Sequence, residues 1–113
     1  MKIVSVKDAN IKETPHKVAV KPLFSFEHAS FVHITLKPGE TLKKHITPVD
    51  ATFYGLEGTG KVEIGDETKE IKKEDLVFSP KGIAHRLFNE SSAPFKFLVI
   101  KTPTPGNQKT KIL

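Results

Sequence analysis

Apolar and polar residues alternate with a period of two along most of this chain. In Phe31-Val32-His33-Ile34-Thr35-Leu36, an extended backbone sends Val32, Ile34 and Leu36 to one face and Phe31, His33 and Thr35 to the other. The stretch from Lys61 to Ile71 alternates apolar with charged residues and pivots at Gly65-Asp66, as a hairpin with one wetted face should. It reads as scaffold, not site. No uninterrupted stretch places apolar residues at i, i+3, i+4 and i+7, so helices are not expected. The pattern predicts short strands over 2–6, 17–21, 30–36, 52–56, 60–64, 68–71, 76–79, 86–88 and 95–101. Turn residues separate them: Lys37-Pro38-Gly39, Glu57-Gly58-Thr59-Gly60, Gly65-Asp66-Glu67, Pro80-Lys81-Gly82 and the polar run from Asn89 to Pro94. Many short strands at this spacing predict an all-β sandwich or antiparallel barrel. The last residues, 102–113, carry Pro103, Pro105 and Gly106 with little to bury, and predict an extended tail, loose in preference to the alternative of a strap on a partner through Ile112 and Leu113.

Composition narrows the classes. With 113 residues, 37% hydrophobic and 27% charged, the chain suits one domain with a modest core. Cys is absent, which excludes disulfides, thiolate metal sites and cysteine nucleophiles. No apolar run reaches membrane-spanning length and the first residues lack a secretory pattern, so a cytoplasmic protein without a membrane partner is expected. A net charge of +5 raises nucleic acid as a partner. The distribution argues against it: of 18 basic residues only Arg86 is an arginine, and the lysines are interleaved with Glu63, Glu67, Glu70, Glu74 and Asp75.

The chemistry is carried by histidines. His45 lies after the Pro38-Gly39 turn, and His85 follows Pro80-Lys81-Gly82. The stretch Gly39 to Gly58, with His45 inside it, and Pro80-Lys81-Gly82-Ile83-Ala84-His85-Arg86-Leu87-Phe88-Asn89 together resemble the two motifs of the cupin superfamily, Gly-x5-His-x-His-x3-4-Glu-x6-Gly and Gly-x5-Pro-x-Gly-x2-His-x3-Asn. The resemblance spans Gly39 to Asn89, close to half the chain. It implies a double-stranded β-helix, the cupin-type jelly-roll barrel, as a single domain over 1–113 with its barrel core at about 24–101.

The departures from the motifs bear on function. Cupins that hold a metal resemble one another in using both histidines of His-x-His, the following glutamate and the second motif's histidine; those positions are His45, Thr47, Ala51 and His85 here. Glu74 stands where the second motif opens with glycine. Residues two apart on a strand share a face, so Thr47 keeps the direction of a ligand but offers a neutral hydroxyl. Ala51 offers nothing, and alternation turns Asp50 to the opposite face unless a bulge at Pro48 brings it round. Two readings stay open. In one, His45 and His85 hold a divalent ion of unknown identity weakly, with water, Asp50 or His33 completing the shell. In the other they are the polar wall of a bare pocket. His16 and His28 lie in polar surroundings and read as surface residues.

Loss of two bulky ligands opens volume, since Thr47, Ala51 and Gly55 are small and share the inward face. Phe53, with Phe78, Leu87, Phe97 and Val99 as candidate neighbours, would supply an apolar wall. Arg86 points away from that pocket by alternation. The reading is a small-molecule-binding protein with its ligand among His45, Thr47, Phe53 and His85. The alternative is a metal-dependent oxygenase or isomerase with His45 and His85 as metal ligands. Whether it is an enzyme at all is left open. No helix-turn-helix pattern is present, which disfavours a DNA-binding regulator. Small proteins resembling this family pair through a sheet face or edge strand, which predicts a homodimer.

Overall fold

A computed structural model describes residues 1–106 and 110–113. Among these residues ten strands follow one 3-10 turn at Val6–Asp8: β1 Ala19–Phe26, β2 Ala29–Leu36, β3 His45–Ile46, β4 Asp50–Glu57, β5 Thr59–Ile64, β6 Glu67–Lys72, β7 Leu76–Ser79, β8 His85–Phe88, β9 Phe95–Thr102 and β10 Lys111–Ile112. They form two five-stranded sheets, ordered β1-β2-β9-β4-β7 and β10-β3-β8-β5-β6, with every pairing antiparallel. The chain is an all-β jelly roll, as the motif resemblance implied.

The core lies where the inward residues of the two sheets meet. Val20, Ile34, Leu36, Ala51, Phe53, Phe95, Phe97 and Val99 come from the first sheet, and Val62, Ile71 and Leu87 from the second. Each sits at every second position of its strand, so one face is apolar and the other is left to water. The hairpin at Gly65-Asp66 forms as its pattern required: Ile64 pairs with Glu67 and Gly65 takes a left-handed φ of 57°.

Three expectations are corrected. Residues 2–6 form no strand; the segment leads into the 3-10 turn and leaves Ile3 exposed. The first strand runs on from Ala19 to Phe26, through Pro22, because it is a sheet edge where a missing N–H costs no ladder bond; the register shifts between Pro22 and Phe24. At the other end, Lys111 pairs with Ile46 and Ile112 with His45, and the Leu113 N–H donates to the Lys44 carbonyl. The end of the tail is therefore a strap on β3, not loose. Of the 102–113 tail reading, residues 107–109 lie outside the described residues.

Candidate functional site

His45 begins β3 and His85 begins β8, and the two residues are direct partners in the ladder. Their rings meet edge to face with centroids 4.5 Å apart, and their Nε2 atoms are 3.1 Å apart. Both are buried. The proton positions follow from the partners. His45 Nδ1 lies 2.6 Å from the Lys43 carbonyl, which only accepts, so His45 carries its proton on Nδ1 and a lone pair on Nε2. His85 Nε2 must then be the N–H, shared between His45 Nε2 and the Thr47 hydroxyl oxygen at 3.1 Å. That leaves His85 Nδ1 as an acceptor for the Ser79 hydroxyl at 2.7 Å. Ser79 is buried at the end of β7 and faces inward because Phe78 faces out. The result is a directed chain from Ser79 through His85 and His45 to the Lys43 carbonyl.

Burial holds the rings neutral. The His85 pKa is pushed down to about 3, first by loss of water around the ring and then by His45, Lys101 and His16. Burial lowers the His45 pKa as well, against the Lys43 carbonyl bond that favours its protonated form. A third histidine joins them, one that read as a surface residue. The His16 ring lies 4.8 Å from that of His45, and its Nδ1 accepts the Lys43 N–H at 2.8 Å. Burial followed by His45 takes its pKa down to about 4. The backbone of Lys43 thus orients both rings, donating to one and accepting from the other. The local sequence around His16 carries no periodic signal, since it lies in irregular chain held across 27 residues by that hydrogen bond.

These rings border a cavity of about 340 Å³. Val20, Val32, Ile34, Leu42, Phe53 and Val99 supply apolar wall, and Thr47 and Ala51 also line it. The other expected residues are placed elsewhere. Gly55 faces inward but adds no volume, because a side chain there would run into the Lys72 carbonyl. Phe78 is 58% exposed on the outer face, and Leu87 and Phe97 are buried in the core away from the lining. Arg86 does point away, its Nε donating to Glu63 Oε1 at 2.7 Å while its guanidinium lies over Phe88. His28 is exposed beside Glu27. Asn89, which closes the second motif, is structural: its amide donates to the Leu36 and Ala93 carbonyls and its oxygen accepts from Ser91. Glu74, standing at the motif's opening glycine, takes a left-handed φ of 72°.

Residues 32–101 match a family model described as a cupin domain. The chain belongs to the cupin family. This cupin is 33% identical over 72 residues to uncharacterized protein MJ1618 of Methanocaldococcus jannaschii, a match covering 64% of this chain and 57% of that protein. It spans about half the length of the curated relatives it matches. Among solved structures it resembles TT1209 of Thermus thermophilus at 32% identity and a TM-score of 0.80, covering 93% of this chain and 100% of the other. An uncharacterized conserved protein with a double-stranded β-helix domain from Klebsiella pneumoniae shares its fold at 19% identity and a TM-score of 0.82, covering 99% and 96% of the two chains.

Many cupins bind a metal ion, and the residues of this one do not fit a resident divalent cation. Among the described residues no third His, Cys, Asp or Glu joins His45 and His85 in a ligating group. Asp50 is turned to the loop, where its Oδ1 accepts the Lys81 N–H at 2.9 Å. His33 is buried on the face of β2 opposite to Val32 and Ile34, which line the cavity, so it cannot complete the shell. His16, with Nδ1 accepting, carries its proton on Nε2 when neutral, and that nitrogen offers an N–H instead of a lone pair. Two neutral imidazoles without a carboxylate leave a divalent charge uncompensated. The Lys101 ammonium, which also lines the cavity, adds repulsion.

Proposed function

We propose that this cupin binds a small organic molecule in its barrel, seated on the apolar wall with its polar group toward His45, Thr47 and His85. The cavity carries the reading: about 340 Å³ of space lined by apolar side chains together with histidine, threonine and lysine is the form of a ligand pocket. Phe53 lies at the junction of the two parts, its ring edge-to-face with His85 at 5.2 Å. Nuclear magnetic resonance titration with small aromatic and aliphatic compounds tests it. Shifts are expected at the amides of Val20, Ala51, Phe53 and Val99, and their loss in a Phe53→Ala, His85→Ala double variant. A panel that moves none of these amides would overturn the reading.

The protein is further proposed to be a cytoplasmic homodimer with neither nucleic acid nor membrane as partner. Edge strand β1 supports the dimer, since it leaves Phe24 and Phe26 exposed and stacked beside an unpaired ladder edge that a second copy can extend about a two-fold axis. The single arginine is committed to Glu63, which weakens any phosphate-reading surface. No helix among the described residues is long and apolar enough to cross a membrane. Sedimentation at micromolar concentration should give a dimer that Phe26→Glu shifts toward monomer; a monomer in the parent protein overturns the pairing.

A further inference from the structure

The polar residues around the cavity are unusual in kind. Among the described residues they are Lys12, Lys101, three histidines and three threonines, with no carboxylate, although the chain has 13 acidic residues. Lys101 is the inward residue that follows Phe97 and Val99 on β9. It stands directly across one ladder from Ser30 and across the other from Ala51, and cross-strand partners project to the same face. Both neighbours are small, which leaves the long lysine stem room to enter the barrel. Among the described residues Lys101 has no ion-pair partner, whereas Lys61, Lys69, Lys72 and Lys96 each lie beside a glutamate.

We propose that Lys101 is the counter-charge for a carboxylate-type oxyanion on an otherwise apolar ligand, so that the pocket of this cupin selects organic anions. The inference rests on the pocket reading above and names the chemical class it takes. An ammonium drawn into an apolar hollow without a partner is poorly solvated, and an incoming oxyanion supplies the missing charge. Burial, and then Lys12, lower the Lys101 pKa, and the charge of Lys101 is among the lesser causes that lower those of His16, His45 and His85, which places it close to all three rings. The N–H groups of His45 and His85 are already taken, so the neutral donors left for the anion are the threonine hydroxyls and the Nε2–H of His16, and the aliphatic wall from Val20, Val32, Ile34 and Val99 takes its body.

Benzoate, cinnamate and hexanoate, each paired with its primary amide, test this by titration at pH 7 against the parent protein, Lys101→Met and Lys101→Arg. In the parent protein the carboxylate should bind at least about tenfold more tightly than the amide, the scale of one charge-assisted hydrogen bond. Lys101→Met should reduce that preference to below about twofold, and Lys101→Arg should restore part of it. Amide spectra of the variants verify that each is folded. Equal binding of carboxylate and amide by the parent protein would overturn the anion assignment and leave the pocket standing. Binding of neither, in all three pairs, would overturn both.

Discussion

His45 and His85, forty residues apart in sequence, face each other as ladder partners with their Nε2 atoms 3.1 Å apart and a single N–H between them. The direction of that bond is set from its ends: the Lys43 carbonyl fixes the His45 proton, and the Ser79 hydroxyl has to donate to His85. Ser79→Ala therefore leaves a buried ring nitrogen unpaired. A loss of about 1–3 kcal/mol in unfolding free energy is expected from denaturant titration. A loss within error would show that the Ser79 hydroxyl does not complete the chain.

The buried histidines make stability depend on acid. In the folded protein the pKa values of His85 and His16 are about 3 and about 4, below the ordinary value of 6.5 that each regains on unfolding. The unfolded chain then binds more protons between those limits, so stability rises with pH there. The contribution is fully present above about pH 6.5 and is lost as the pH falls toward 4 and then 3. Melting temperatures should be flat in this respect above pH 7 and fall below pH 6, less steeply in His85→Gln. An equal acid slope in parent and variant would remove His85 as a cause.

Gly55 and Glu74 make a pair of opposite predictions. The Gly55 N–H donates to Asp75, its carbonyl accepts from Glu74, and any Cβ would press on the Lys72 carbonyl. Gly55→Ala should cost about 1–3 kcal/mol through overpacking against backbone. Glu74→Gly should instead stabilise by about 1 kcal/mol, because its φ of 72° strains a residue with a Cβ and not a glycine. Chemical denaturation of both variants checks the signs; a destabilised Glu74→Gly would mean that its side chain holds something the backbone does not reveal.

The C-terminal strap should respond to deletion. Ile112 lies across from His45 and lines the cavity, and Leu113 bonds to Lys44. Removing residues 110–113 takes away one of the two ladder partners of β3 and leaves β8 as the other. Hydrogen exchange should accelerate at His45 and Ile46, while amides of the β5–β6 hairpin keep their protection. Unchanged exchange at β3 would show that the strap contributes no local stability.

Expectations about faces hold wherever one ladder decides them. Period-two alternation sends Arg86 outward and Thr47, Ala51 and Phe53 inward, and the turn residues place the hairpin at Gly65-Asp66. Gly55 and Phe78 depart from the expected pocket for different reasons. Gly55 does face inward, but the β6–β7 connection crosses against it. Phe78 cannot belong to the wall because its neighbour Ser79 takes the inward position.

By itself the sequence determined the all-β architecture and the turns before His45 and His85, because these depend on residue type and local spacing, and its resemblance to the cupin motifs marked Thr47 and Ala51 as positions where ligands are lost; the short strand at His45–Ile46 was not legible in it. Only the tertiary structure decided that His16 joins them, that the chain end straps β3, and that Lys101 enters the hollow across from Ala51. Each of those depends on contacts between distant segments: a hydrogen bond to Lys43, a ladder from Ile112 to His45 and the register of β9 on β4. Within a hairpin the turn and the alternation set the register, but which distant strand becomes the ladder partner depends on packing across the whole barrel, and no segment read alone contains that.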